Sequence, residues 1–306
     1  MIPRWLEEDQ NHLIIQANRC LNESSYVETK SDNERLSLTF NKRIKAVPFH
    51  IWVDGSAHSQ SLSLEWLEAS ESDVTVWIKP KMNQSALTMD LICHNQSNVT
   101  LNVIILGSLR NFAMTRSVVL KKQSQLSMRT SVFSKGVFSL SESLDLTEEF
   151  AQLNHQILVI GSQSDNITVS QNVHHKAKGT ESQIHNALVG NDASRIKFDI
   201  YGTIDKYQAK SKCYQHSKGI ILGEQSWIEV DPKLIINEFD VEAGHGAAIG
   251  QMNPDELYYL TSRGLTEIKA KQLIIHGLTT PYLDALPSKS AQLYVQRQIA
   301  KKMGGH

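Results

Sequence analysis

Phe239–Gly264 reads FDVEAGHGAAIGQMNPDELYYLTSRG, and its two halves divide the chain into two kinds of structure. The first half is a small-residue run in which Gly244, Gly246, Ala247 and Ala248 surround His245. So little side-chain bulk suits close approach by another backbone, another subunit or a metal ion. The second half is a helix with legible ends. Asn253 is a good N-cap, Pro254 suits the first helical position, and Asp255 and Glu256 load the first turn with negative charge. Gly264 can stop the helix in a left-handed conformation.

Upstream, from Val74 to about Ile236, short β-rich runs recur between Gly, Asn, Asp and Ser, the spacing of an all-β region. Leu87–Leu91, Val99–Ile105, Ile167–Val169, Ile196–Ile200 and Trp227–Val230 alternate apolar with polar residues, so one side of each strand faces inward. Prolines are few here (Pro80 and Pro232), which permits long continuous sheets. A sandwich, a barrel and a stacked solenoid all fit this pattern, and no crisp short repeat chooses between them. Before about Glu71 the signals are mixed. Trp5, Leu6, Leu13, Ile14 and Ala17 fit a short helix, while Phe49–Val53 alternates like a strand.

Downstream, Thr266 can cap a second helix over Glu267–His276, ended by Gly277. A third is expected from Ser288 or Ser290 to about Lys302, with Leu293, Ile299 and Met303 on its apolar side. Arg297, Lys301 and Lys302 gather near its C-terminal end, where the helix dipole favours cations. Lys269, Lys271, Lys301 and Lys302 read as solvated surface. The expected division is a mixed region over residues 1–71, a β core over 72–250 and a helical subdomain over 251–306.

Composition narrows the function classes. The 306 residues are 41% hydrophobic and 21% charged, with Lys+Arg 31 against Asp+Glu 32. This balance offers no basic field for nucleic acid or a membrane surface. No apolar run reaches membrane-span length, and the first residues lack the order of a signal peptide, so a cytoplasmic address is expected. The three cysteines, Cys20, Cys93 and Cys213, are far apart and form neither a disulfide framework nor a C-x-x-C pair. They cannot supply the four thiolates of an autonomous four-iron cluster. No P-loop, nucleophile elbow or H-E-x-x-H helix occurs.

Three blocks, in order, carry a resemblance: NALVGNDASRIKFDIYGTI (Asn186–Ile204), IILGEQSWIEVDPKLII (Ile220–Ile236), and VEAGHGAAIG followed by DELYYLTSRGL (Val241–Gly250 and Asp255–Leu265). Together they closely resemble the SufB/SufD family, the scaffold subunits of the Suf iron–sulfur cluster assembly system, and HGAAIG resembles the SufD form. The resemblance implies a mainly β fold: a right-handed parallel β-helix core, a C-terminal helical subdomain and a short mixed N-terminal region, shorter than usual for the family. It implies a non-catalytic scaffold that pairs through its terminal strands with a SufB-like subunit, or with itself as a homodimer. It also implies that the SufC ABC-type ATPase binds the C-terminal helices, with a cysteine desulfurase acting indirectly. No cofactor is expected on the chain alone, but iron or an iron–sulfur cluster is expected to be shared transiently at the interface.

Each candidate residue has a plainer alternative. His245 falls where the resemblance implies an interface metal ligand; otherwise it is a structural histidine bonded to backbone. Ala243 stands where family members often have a cysteine, leaving this strand only the imidazole. Cys213 could join His216 on one metal, although an alternating strand puts them on opposite faces, and a buried apolar cysteine is the simpler reading. His174 and His175, adjacent on a strand, point apart; a rung corner or an internal pathway are their alternatives. Tyr258, Tyr259, Leu260 and Arg263 form either the packed side of a short helix or, on the resemblance, the ATPase-docking surface. The competing functions are a β-helix carbohydrate-active enzyme (lyase or hydrolase), for which Asp199, Asp205 and Lys206 are the available charges, and a stand-alone metal-binding module using His245 with Cys213.

Overall fold

The alternation becomes stacked parallel strands in the computed structural model of the chain, which describes residues 3–7, 11–16, 18–22, 24, 27–31, 35–41, 48–55, 58–81 and 84–303. A short helix, α1 (Arg4–Glu7), precedes β1 (His12–Gln16), β2 (Arg19–Cys20), β3 (Val27–Ser31), β4 (Leu36–Phe40), β5 (Phe49–Gly55) and β6 (Ser59–Trp66). Then follow β7 (Glu71–Pro80), β8 (Gln84–Cys93), β9 (Asn98–Ile105), β10 (Ser108–Leu120), β11 (Gln125–Val132) and β12 (Lys135–Leu146). The stack ends with β13 (Gln152–Gly161), β14 (Asn166–His175), β15 (Glu181–Gly190), β16 (Arg195–Ile204), β17 (Lys212–Ile221), β18 (Trp227–Ile236) and β19 (Glu242–Gln251). Helices α2 (Pro254–Ser262), α3 (Glu267–Asp284) and α4 (Lys289–Lys302) close the described chain.

Successive strands alternate between two sheets. Even-numbered strands from β4 to β18 form one sheet with β3; odd-numbered strands from β5 to β19 form the other with β1 and β2. Nearly all pairings are parallel and in register; the antiparallel exceptions, β1 with β2 and β3 with β4, lie at the N-terminal end. The result is a parallel β-solenoid of about seven turns. Residues before 71 contribute strands to the same sheets. Leu13 and Ile14, grouped above with a helix, lie on β1, where Leu13 and Ile15 are buried while β1 pairs with β5. Period-two burial therefore overrides the short helical pattern there. Trp5 and Leu6 do lie on the helix α1, and Ala17 is outside the described residues.

Inward-facing Leu, Ile, Val, Met and Phe from both sheets meet in one continuous core. A second core lies on the outer face of the ten-stranded sheet. There Trp52, Trp77, Leu106, Phe133, Leu158 and Ile160 pack under Ile275, Tyr282, Leu283, Val295 and Ile299 of α3 and α4. This packing explains three departures from the sequence reading. Helix α3 runs through Gly277 and Pro281 to Asp284, because its buried face continues with Thr279, Tyr282 and Leu283. Tertiary burial outweighs the roughly 1 kcal/mol cost of a helical glycine, and the Thr280 hydroxyl donates to the His276 carbonyl at 2.7 Å beside the proline. Lys302, read as solvated, is 3% exposed and forms an ion pair with Asp165 while donating to the Ser134 carbonyl. On α4, Ala291, Val295 and Ile299 face the core with Lys302, whereas Leu293 is 44% exposed.

The helices are thus not a detachable tail. A chain ending at Gly250 loses the cover of a row of large apolar side chains, each worth about 1.5–3 kcal/mol when buried. It is expected to self-associate and bind a hydrophobic dye. A monomeric truncated chain as stable as the full one, by sedimentation and urea unfolding, would contradict this.

Candidate functional site

Among the described residues nothing covers the last rung. β18 and β19 are the edge strands of their sheets, each with one neighbour, β16 and β17 respectively. Each is ten residues long and presents a free row of backbone donors and acceptors. Such an edge is a template for another strand. Apolar side chains accompany it: Trp227 is 42% exposed, Ile235 48%, and Phe239, in the turn between the two strands, is fully exposed.

His245 sits in the middle of β19, in register with Gln215. Gln215 is buried on the inward side of β17 with Cys213 and Ser217, so His245 occupies the inward side of the final turn. With no turn beyond it, His245 is exposed. Ala243 registers with Cys213, so Cys213 and His245 share this side as diagonal neighbours on adjacent strands. Cys213 itself is fully buried, and burial pushes its thiol pKa up, a hydrogen bond with Ser182 only partly opposing that. Gly202 makes room for it, since a Cβ there would approach the Cys213 Sγ to 2.7 Å. His216 faces outward, so Cys213 and His216 do not converge. Among the described residues no group of three or more His, Cys, Asp or Glu is placed to hold a metal ion. His245 and Cys213 alone therefore do not fit a cluster held by this chain.

Helix α2 also stands free. It buries none of its residues, so the reading of Tyr258–Leu260 as a packed face is corrected: Tyr258 is 75% and Tyr259 56% exposed. The caps form as expected, with Asn253 Oδ1 accepting from Asp255 N at 2.9 Å and Gly264 at φ +91°. The Arg263 guanidinium lies 5.3 Å above the Tyr259 ring, and Leu260 is half-buried. Ile268 and Leu273, at the start of α3, add exposed apolar surface.

Sequence reasoning missed a line of polar side chains inside the solenoid. Arg116 on β10 and Glu142 on β12 form a fully buried ion pair, with Arg116 Nε donating at 2.7 Å. Gln171 donates to Glu142 at 3.1 Å, and Asn186 donates to Gln171 at 3.0 Å and to Ser217 at 3.2 Å. Thr130 accepts from Arg116 at 2.9 Å, and the buried His155 lies 3.7 Å from Glu142. The line ends at Ser217, one rung from the terminal strand. Its signal was available as polar residues at inward positions, such as Glu142 between Leu140 and Leu144. Burial alone would raise the Glu142 pKa, but Arg116, His155 and the Arg116 and Gln171 hydrogen bonds outweigh it and hold the carboxyl below its usual range.

His175 is buried at a rung corner, its ring nitrogens 2.8 Å from the Thr180 and Ser182 hydroxyls. His174 points the other way, 2.9 Å from Asp205. Asp199 lies 3.7 Å from Lys197 and is in register with Asp231 of β18, and Lys206 and Tyr207 are exposed.

Burial pushes both His155 and His175 down to about 4 from 6.5; beside it, Glu142 raises and Arg116 lowers the first, while His174 lowers the second. An unfolded chain takes up a proton on each as the pH drops below about 6.5, and the folded chain resists until about 4. Their neutral burial therefore costs nothing above that window and roughly 3 kcal/mol each by its lower end. Glu142 acts in the same direction, its contribution being present above its unfolded pKa and lost as the pH falls through its folded one. Urea unfolding from pH 7 to 4.5 is expected to show stability falling by several kcal/mol, with a shallower slope in His175→Gln or His155→Gln. Identical slopes in all three proteins would refute this.

A family model described as the SUF system FeS cluster assembly, SufBD core domain, matches residues 51–278. The iron–sulfur cluster assembly protein SufD of Bacillus subtilis is 32% identical over 143 residues, covering 47% of this chain and 32% of that protein. SufD of Escherichia coli is 25% identical over 132 residues, covering 43% and 31%. An iron–sulfur cluster assembly SufBD family protein of Pyrococcus horikoshii is 37% identical over 86 residues, covering 28% and 19%. These matches span about a third or less of the relatives' length. With the solenoid, the uncapped final turn and a model covering most of its length, the chain belongs to the SufBD core-domain family.

Proposed function

We propose that the chain is a SufD-like, non-catalytic scaffold subunit of a cytoplasmic iron–sulfur cluster assembly complex. The observation that carries this reading is the uncapped final turn: two long free edges, exposed apolar flanks and one imidazole on the inward side. The partner is a SufB-like subunit, or a second copy, whose own terminal strands continue both sheets. β-Strand addition satisfies the free backbone groups while side-chain pockets set specificity. Burying Trp227, Ile235 and Phe239 adds hydrophobic stabilisation.

His245 would then lie within the joint. A neutral imidazole is a suitable donor to iron, and this chain's share of the cargo site is that one donor, the rest coming from the partner. The chain's contribution is to position the ring on a rigid strand and keep its surroundings small.

The free face of α2 supports a second contact. Tyr258, Tyr259, Leu260 and Arg263 present an amphipathic helix suited to a groove on a SufC-like ATPase. Because α3 and α4 are packed on the solenoid, movement of a bound ATPase would be transmitted to the whole β stack. That coupling requires the ATPase to bind the two arrangements with different affinity.

Co-expression with a SufB-like and a SufC-like protein tests the reading. The wild-type chain is expected to co-elute with both. Tyr258→Ala with Tyr259→Ala is expected to weaken ATPase retention at least about tenfold without loss of the solenoid partner. His245→Ala is expected to leave the complex intact and lower its iron content. Failure of the three proteins to co-elute would overturn the scaffold, and unchanged iron would remove the ligand role of His245.

A further inference from the structure

The outer face of the ten-stranded sheet carries a feature that neither the terminal edge nor α2 uses. His185 on β15 and His216 on β17 are register partners. Their rings stack with centroids 5.4 Å apart and planes 23° apart. Gln156 occupies the same column one rung below, and Gly246 one rung above. A groove of about 570 Å³ opens over this column, walled on one side by Leu278, Pro281 and Tyr282 of α3.

Two details single the pair out. His185 Nδ1 is buried and has no hydrogen-bond partner among the described residues. A buried polar atom left so is destabilising, and a ligand would relieve that. The rung above is also stripped of bulk: a Cβ on Gly246 would meet only His216 Nδ1, at 3.8 Å, and Ala247 and Ala248 follow. Burial, and then the charge of a protonated His216, push the His185 pKa down, so its ring offers a lone pair to a cation rather than a proton to an anion.

We propose that His185 and His216 form a two-imidazole site for a divalent transition-metal ion, with the Gln156 amide oxygen as the neighbouring donor. In the stacked arrangement the two ring planes are nearly parallel. The Cβ–Cγ torsion of histidine is soft, so rotation of the rings turns both nitrogens toward one ion. Imidazole donors suit zinc, copper and nickel, and the groove leaves the remaining positions to water. The site is separate from His245, which lies on the inward side of the sheet while His216 lies on the outward side.

Chelator-stripped full-length chain, titrated with Zn²⁺ against a chromogenic chelator, tests this. One ion per chain is expected, weakened at least about tenfold in His185→Gln and in His216→Gln, with His245→Gln unchanged and all melting curves alike. Cu²⁺ bound to the wild type is expected to show magnetic coupling to two nitrogens, and fewer in either variant. Absence of a stoichiometric ion, wild-type affinity in both variants, or loss confined to His245→Gln would overturn the site. None of these readings depends on co-elution with other subunits, so failure here leaves the scaffold reading standing.

Discussion

Every feature of this molecule descends from the in-register stacking of parallel strands. Each residue sits over the same position one rung away, so an inward position must be filled by apolar atoms or by polar atoms that satisfy one another. That rule produces the apolar core and the Arg116–Glu142–Gln171–Asn186 line, and the same register stacks His185 on His216 on the outer face. It also dictates that a stack has ends. At the N-terminal end antiparallel strands turn back on the sheets. At the C-terminal end no described residue does, and the residues there alternate in and out with no described rung to meet.

The two ends of the sequence were legible to different degrees. Alternation marked the strands because one face of each is buried, and Asn253, Pro254 and Gly264 marked a helix because capping is local chemistry. Solenoid stacking was not legible from alternation, since sandwiches and barrels share that period; it came from the resemblance. Gly277 and Lys302 misled for one reason: their environments are made by the outer face of a sheet assembled from distant residues. No local pattern reports that Lys302 will meet Asp165. The buried polar line is an intermediate case, because Arg116, Glu142 and Gln171 all interrupt the inward parity of their strands, yet whether such a residue finds partners depends on the neighbouring rungs.

Candidate residues divided in the same way. His245 and the tyrosines of α2 are prominent because they are exposed where regular structure ends, and local composition reveals such places. Cys213 could have joined His216 on one metal, but strand parity separates them, and the simpler reading of a buried cysteine agrees with its burial, which suppresses the thiolate. His185 and His216 lie 31 positions apart, a spacing set by one full turn of the solenoid. Without the register, they are unrelated residues.

The account stands or falls on the final turn being completed by another solenoid. Hydrogen exchange read on the β18 and β19 amides, Trp227–Ile236 and Glu242–Gln251, tests this directly. Exchange would be compared between the chain alone and the chain mixed with a SufB-like subunit. The account predicts rapid exchange of outward-edge amides alone and strong protection on mixing, with the N-terminal strands unchanged. Equal exchange in both samples, or protection confined to another face, would contradict it.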